Sequence, residues 1–159
     1  MKLAVIAVGS LKEKYYREAC AEYSKRMTIM RPIEVIEVSE EPVADEDSLA
    51  LVERALEREG RRIIGRLHQE DLAIALTPDG DSLDSGEFAR MIDPSRNPEC
   101  KRMVFIIGSS HGLGKAVYER CRRKLSFGPM TFPHQLARVM LLEQIYRGQM
   151  IQLGRAYHK

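Results

Sequence analysis

Cysteine pairs, long apolar runs and a strong net charge are all missing from this 159-residue sequence. Its three cysteines, Cys20, Cys100 and Cys121, are odd in number and widely spaced, and no CxxC occurs. That argues against a disulfide framework or a cysteine metal site, and the thiols read as reduced, as in a cytoplasmic protein. The apolar run near the start, residues 3–8, is too short to span a membrane and no cleavage site follows it. The net charge of +2 permits a nucleic-acid partner without demanding one, since dedicated binders are usually more basic. The familiar nucleotide and hydrolase signatures are also missing. Gly108 to Gly114-Lys115 is one residue too long for a P-loop, and Ala116 offers no hydroxyl for magnesium. No GxGxxG follows any strand-like run, and HExxH, GxSxG and clustered metal ligands do not occur. His111 has no neighbouring Cys or carboxylate at ligand spacing, so no metal is expected.

What is present is ordinary for a globular protein: 44% hydrophobic and 30% charged residues. The length suits one domain over residues 1–159, with a core that needs no staples. Apolar, Val/Ile-rich runs at 3–8, 33–38, 71–77 and 101–107 predict four strands. Helical patterns over 11–27, 48–67 and 115–124 alternate with them, the second with Leu49, Val52, Leu56, Ile63 and Leu67 along one face. The stretch 78–81 reads as a turn by composition, and Asp84 with Glu87 reads as a capping box for a short helix through Ile92. This alternation predicts an α/β fold, with a mainly parallel sheet and helices on both faces. Ligands in such folds bind at the carboxyl ends of the strands. Three turns fit that place: after Leu76, at Gly108, and from Phe127 to Phe132.

The last of these turns is the most unusual stretch of the chain. Residues 125–135 follow a helical pattern, yet they are rich in Phe, Met and Leu. An apolar loop is buried or wraps a ligand, because its backbone polar groups must find partners there. Pro133 suits the start of a new helix, with Thr131 as a nearby capping hydroxyl. The helix 134–147 is apolar almost all the way round, so it is buried on most sides. Two polar stripes interrupt it: His134 with Arg138, and Glu143 with Arg147, each at a spacing of four. The second pair reads equally as an interface salt bridge or as part of a site.

At these residues the sequence resembles the ribosomal RNA large subunit methyltransferase H family, of the SPOUT class of knotted methyltransferases. The resemblance runs through Leu11-Lys12-Glu13-Lys14-Tyr15, Glu22-Tyr23-Ser24-Lys25-Arg26, Phe105 to Gly108, Thr131 to Gln135, Glu143 to Arg147 and the closing Tyr157-His158-Lys159. It implies a deep C-terminal trefoil knot, a homodimer, and S-adenosylmethionine (SAM) as methyl donor. It implies N3 methylation of a pseudouridine in 23S rRNA, within the assembled 70S ribosome in the cytoplasm. Carried onto this chain, the implied cofactor residues are Leu76, Gly108, Phe127, Gly128, Pro129, Met130, Thr131 and Phe132. Chemistry then nominates His158 and Glu143 as candidate bases, with Arg138 and Tyr157 positioning the nucleotide. His134 is expected to cap or pack, and the basic residues between Lys12 and Arg26 to meet phosphates. The chain departs from the family pattern at Ser109, where a second Gly is usual, at Thr77, where an acidic residue is frequent, and at Gly148, where Ala is usual. Two rival functions remain at this stage: a SPOUT enzyme acting on tRNA, and a ribosome-binding dimer without catalysis.

Overall fold

The computed structural model describes residues 1–155 and 157. Eleven elements follow in order: β1 (Lys2–Val8), α1 (Lys14–Met27), β2 (Ile33–Val38), α2 (Leu49–Ile64), β3 (Leu72–Ser82), α3 (Ser85–Met91), a 3-10 turn (Pro94–Arg96), β4 (Arg102–Ile107), α4 (Lys115–Arg120), β5 (Arg123–Ser126) and α5 (His134–Gln152). The strands form one parallel sheet in the order β2-β1-β4-β3-β5.

Each crossover reverses the direction of the one before. The chain moves outward from β1 to β2, back across to β3, inward to β4, and out again to β5. Parallel crossovers share one hand, so a reversal of direction must put the next helix on the other face. The packing follows that rule. Side chains of α1, α3 and α5 join Leu3, Val5, Ala7, Phe105 and Ile107 in one core layer. Side chains of α2 and α4 join Ala4, Ile6, Val8, Val104 and Ile106 in the other. Strands covered on both sides need apolar side chains at consecutive positions. This is why β1 from Leu3 and β4 from Met103 read as unbroken apolar runs.

Four sequence expectations change. A fifth strand, β5, replaces the end of the helix expected over 115–124, which stops at Arg120. The expected turn at 78–81 lies within β3, where the ladder to β5 shifts register between Leu76 and Asp81. Gly80 makes this possible: a Cβ there would lie 2.6 Å from the Leu125 carbonyl carbon. Pro133 caps α5 with no side-chain hydrogen bond, so Thr131 does not cap it. Leu49, expected on the buried face of α2, is 80% exposed. The capping box of α3 forms as expected, with Asp84 accepting from the Glu87 N–H at 2.7 Å and Glu87 accepting from the Asp84 N–H at 2.9 Å.

Gly148 marks where α5 crosses α3. A Cβ there would come within 2.9 Å of Ile92 Cδ1 and 3.4 Å of Ala89 Cα. The nearest atom is the end of a flexible side chain. Replacing an interior helical Gly by Ala gains about 1 kcal/mol of helix propensity, which offsets the displacement of Ile92. Gly148→Ala is therefore expected to change stability by less than about 1 kcal/mol, or about 4 °C in Tm for a chain of this size. A thermal melt that loses much more would mean that Ile92 cannot move.

At the amino ends of the strands, Asp71 and Arg102 form a sealed pair. Arg102 donates from Nε and Nη2 to the two Asp71 oxygens at 3.0 and 2.6 Å, and from Nη2 to the Arg66 carbonyl at 3.0 Å. No helix among the described residues is long and apolar enough to cross a membrane.

Candidate functional site

The parallel register brings the three nominated turns together. Leu76 pairs with Ile107 on one side and with Leu125 on the other. The register shift of β3 after Leu76 and the ends of β4 and β5 therefore lie at one level, at the carboxyl end of the sheet. A cavity of about 570 Å³ opens there, within the size range of small-molecule sites. Leu76, Gly108, Phe127, Gly128, Met130, Thr131 and Phe132 all line it. Pro129 is exposed and is not among the lining residues.

Local chemistry shapes each wall. At Gly108 a Cβ would lie 2.1 Å from the Gly112 carbonyl oxygen. The turn is closed by the Gly112 N–H donating to the Ser109 carbonyl at 3.0 Å. Bare backbone thus forms part of the floor. On the opposite wall, the Ser126 hydroxyl accepts from the Gly128 N–H at 3.0 Å and lies 3.1 Å from the Pro78 carbonyl. It ties the apolar loop to the segment after Leu76. Nothing in the sequence singled out Ser126. Thr77, one of the departures from the family pattern, donates to Asp79 at 2.5 Å, and Asp79 also holds Lys124 at 2.7 Å. Gly128 has φ +111 with open space around it, so the loop turns there in a conformation that favours glycine.

Among the described residues His134 is the one titratable side chain in the lining. Burial pushes its pKa below the ordinary imidazole value, and the neighbouring Glu40 only partly opposes that. Neutral imidazole dominates at pH 7. Arg138, one turn on, is 1% exposed. It donates to Glu37 at 2.5 Å and to the Gly9 carbonyl at 2.8 Å, while its Nε has no partner among the described residues.

Glu143 lies elsewhere. Five residues along a helix turn it about 140° from Arg138. It accepts from Arg147 at 2.6 and 3.0 Å and from Gln144 Nε2 at 2.7 Å. Arg147 in turn lies over the Tyr157 ring at 4.8 Å and donates to the Tyr157 carbonyl at 3.3 Å. Tyr157 packs edge-on against Tyr146 at 4.9 Å. Glu143 and Tyr157 are thus brought into one cluster, whereas Arg138 is held at the ends of β1 and β2. His158 lies outside the described residues. A second cavity of about 640 Å³ runs beside Tyr23 and Glu143 and shares Ser126, Phe127 and Gly128 with the first. One loop therefore forms a common wall between the apolar cavity and the Glu143 side.

Across residues 1–158 the sequence matches the family model described as "Predicted SPOUT methyltransferase". The chain belongs to the SPOUT methyltransferase family. Within the family it is 44% identical to the ribosomal RNA large subunit methyltransferase H of Lactococcus lactis subsp. lactis, over 159 residues and the whole of both chains. The protein of that name from Carboxydothermus hydrogenoformans is 43% identical, again over the whole of both. Among solved structures, one from Bordetella pertussis Tohama I, described as a probable methyltransferase, superposes with a TM-score of 0.56 at 19% identity, covering 93% of this chain and 94% of that one. One from Legionella pneumophila, solved with bound SAM, gives a TM-score of 0.50 at 13% identity, covering 92% of this chain and 66% of that one. At such identities the two structures speak for the shared fold alone. Among the described residues no group of three or more His, Cys, Asp or Glu could hold a metal ion.

Proposed function

We propose that residues 1–159 act as a single SAM-dependent methyltransferase domain that modifies N3 of a pseudouridine in 23S rRNA, within the assembled ribosome of the cytoplasm. In this reading the chain works as a homodimer and its C-terminal segment is threaded as a trefoil knot. The observation that carries the reading is the full-length identity of 42–44% to proteins named ribosomal RNA large subunit methyltransferase H. The cavity supports it, because its residues fit the donor. Leu76, Phe127, Met130 and Phe132 offer an apolar slot for a purine, and the turn at Gly108 exposes backbone that can pair with it.

When bound, SAM supplies an electrophilic methyl group on a sulfonium. The N3 proton released on transfer would have to pass to a base of the chain. The chain must hold both partners in line and exclude water. The apolar loop 127–132 serves the second need. The first falls to the polar groups around it. Tyr157 and Arg138 orient the nucleotide, Arg138 through the Gly9 and Glu37 positions that it fixes. His158 or Glu143 takes the proton. The basic residues from Lys12 to Arg26 meet rRNA phosphates, as expected of recognition by shape and charge.

Calorimetry with SAM tests the cavity, with Gly128→Arg as the control. Wild type is expected to bind and the variant to lose binding altogether. Intact ribosomes and tRNA, each offered with labelled SAM, then separate the substrates. Methyl transfer to tRNA but not to ribosomes would overturn the rRNA assignment. Binding without transfer to either would favour a non-catalytic ribosome-binding role.

A further inference from the structure

We infer that Glu59 makes the cavity prefer a positively charged sulfonium ligand to the neutral thioether left after transfer. The inference rests on the reading that SAM occupies this cavity, and it assigns a role to a residue outside the lining.

Glu59 lies on α2 and is only 2% exposed. One carboxylate oxygen accepts from the Glu41 N–H at 2.9 Å, and the other accepts from the Ser109 hydroxyl at 2.9 Å. Two accepting oxygens are the pattern of an ionised carboxylate. No Lys, Arg or His pairs with it among the described residues. Arg58 and Arg62, on the same helix, both turn to Glu41 instead, at 2.5 Å each. A buried charge without a counter-ion is costly. Such a group is retained where something else makes use of its field.

Ser109 is the link. It is 7% exposed and lines the cavity, so the carboxylate sits one hydrogen bond behind the wall. The carboxylate is also held in place from behind. A Cβ at Gly114 would lie 2.8 Å from the Leu56 carbonyl, and one at Gly60 would lie 3.3 Å from Val117. Positions 56, 59 and 60 share one helix face, and that face is pressed against the turn 108–114. The field reaches the far wall as well. The pKa of His134 is lowered by burial, and the charges that oppose this are Glu40 and, more weakly, Glu59.

Methyl transfer turns the cationic sulfonium into a neutral thioether. The Glu59 charge therefore attracts the ligand before the reaction and loses its hold afterwards. An attraction that is greatest in the ground state lowers KM without raising kcat, and it eases product departure.

The test compares SAM with S-adenosylhomocysteine by calorimetry on wild type, Glu59→Gln and Glu59→Asp. Charges interacting through an effective dielectric of about 20 are worth about a kcal/mol or more at such short range, so Glu59→Gln should weaken SAM binding by roughly ten-fold or more. Binding of S-adenosylhomocysteine should change less than about two-fold, and Glu59→Asp should keep the wild-type ratio. KM for SAM should rise with kcat unchanged. Equal weakening of both ligands would mean a structural role and overturn the inference, as would no change in either. Wild type binding neither ligand would overturn the cavity reading and this inference with it. A measurement on wild type alone covers a variant that fails to fold. The analogue with a protonated amine in place of the sulfonium, sinefungin, should bind more tightly than S-adenosylhomocysteine, and equal or weaker binding would overturn the inference.

Discussion

Gly108→Ala is expected to abolish SAM binding. The added Cβ would stand 2.1 Å from the Gly112 carbonyl oxygen and 2.5 Å from its carbon. Both are backbone atoms, so no change of rotamer relieves the clash, and the turn 108–112 must open. Overpacking of this kind costs about 1–3 kcal/mol and occasionally more. Here the distortion falls directly on the cavity floor. A loss of affinity of at least about 100-fold, equivalent to about 2.7 kcal/mol, should appear in calorimetry. Gly112→Ala is the contrast. Gly112 has φ +88 and nothing within 4 Å, so the substitution strains one residue without a collision. Its cost should stay near the 1–2 kcal/mol of a left-handed L-residue. Equal binding by wild type and Gly108→Ala would mean that the turn is not part of the site.

The second large effect concerns stability. Arg102→Met should destabilise the fold by about 3–5 kcal/mol, because it leaves the Asp71 carboxylate buried without its partner. Asp71 is 4% exposed and, among the described residues, has only the His68 N–H, at 2.7 Å, as a further hydrogen-bond donor. Asp71→Asn combined with Arg102→Met should recover part of the loss, since no charge then stays buried. The same pair makes an acid-lability prediction. Burial opposes ionisation of Asp71, but the Arg102 hydrogen bonds and the His68 N–H outweigh it and hold the carboxyl below its usual value. A group whose pKa is lower when folded stabilises the fold above its unfolded pKa. That contribution is lost as pH falls through the folded value, so it should fade below about pH 4. Urea titrations at a series of pH values should show wild-type stability falling in that range, and Arg102→Met falling less.

The alternation of strands and helices was legible because strands buried on both faces must be apolar at consecutive positions, as β1 is from Leu3 to Val8 and β4 from Met103 to Ile107. The α3 cap was legible because Asp84 and Glu87 satisfy each other locally. The fifth strand was not. Arg123-Lys-Leu-Ser126 has neither alternation nor β-branched side chains, and it is a strand only because Gly80 lets the β3 backbone approach it. Likewise 78–81 has a turn's composition, and its place in β3 is decided by that same contact. The cavity-lining turns could be found from composition, since Gly108 and the apolar run after Leu125 are odd choices for ordinary loops. Glu59 could not be found that way. On its helix it looks like one more solvated charge, and only the packing against the turn 108–114 buries it.

The order of the sheet has a consequence for how the chain is made. β1 and β3 flank β4 but do not touch each other, so nothing zips the two halves until residues 102–107 arrive. A growing polypeptide that has emerged only as far as Cys100 already holds the strand sequences of β1, β2 and β3, yet lacks the segment that joins them. Two unsatisfied strand edges would face solvent during that interval, the situation in which partly made chains stick to one another. The last third of the sequence is therefore both the wall of the cavity and the keystone of assembly, and a chain truncated before Arg102 should be recovered as aggregate.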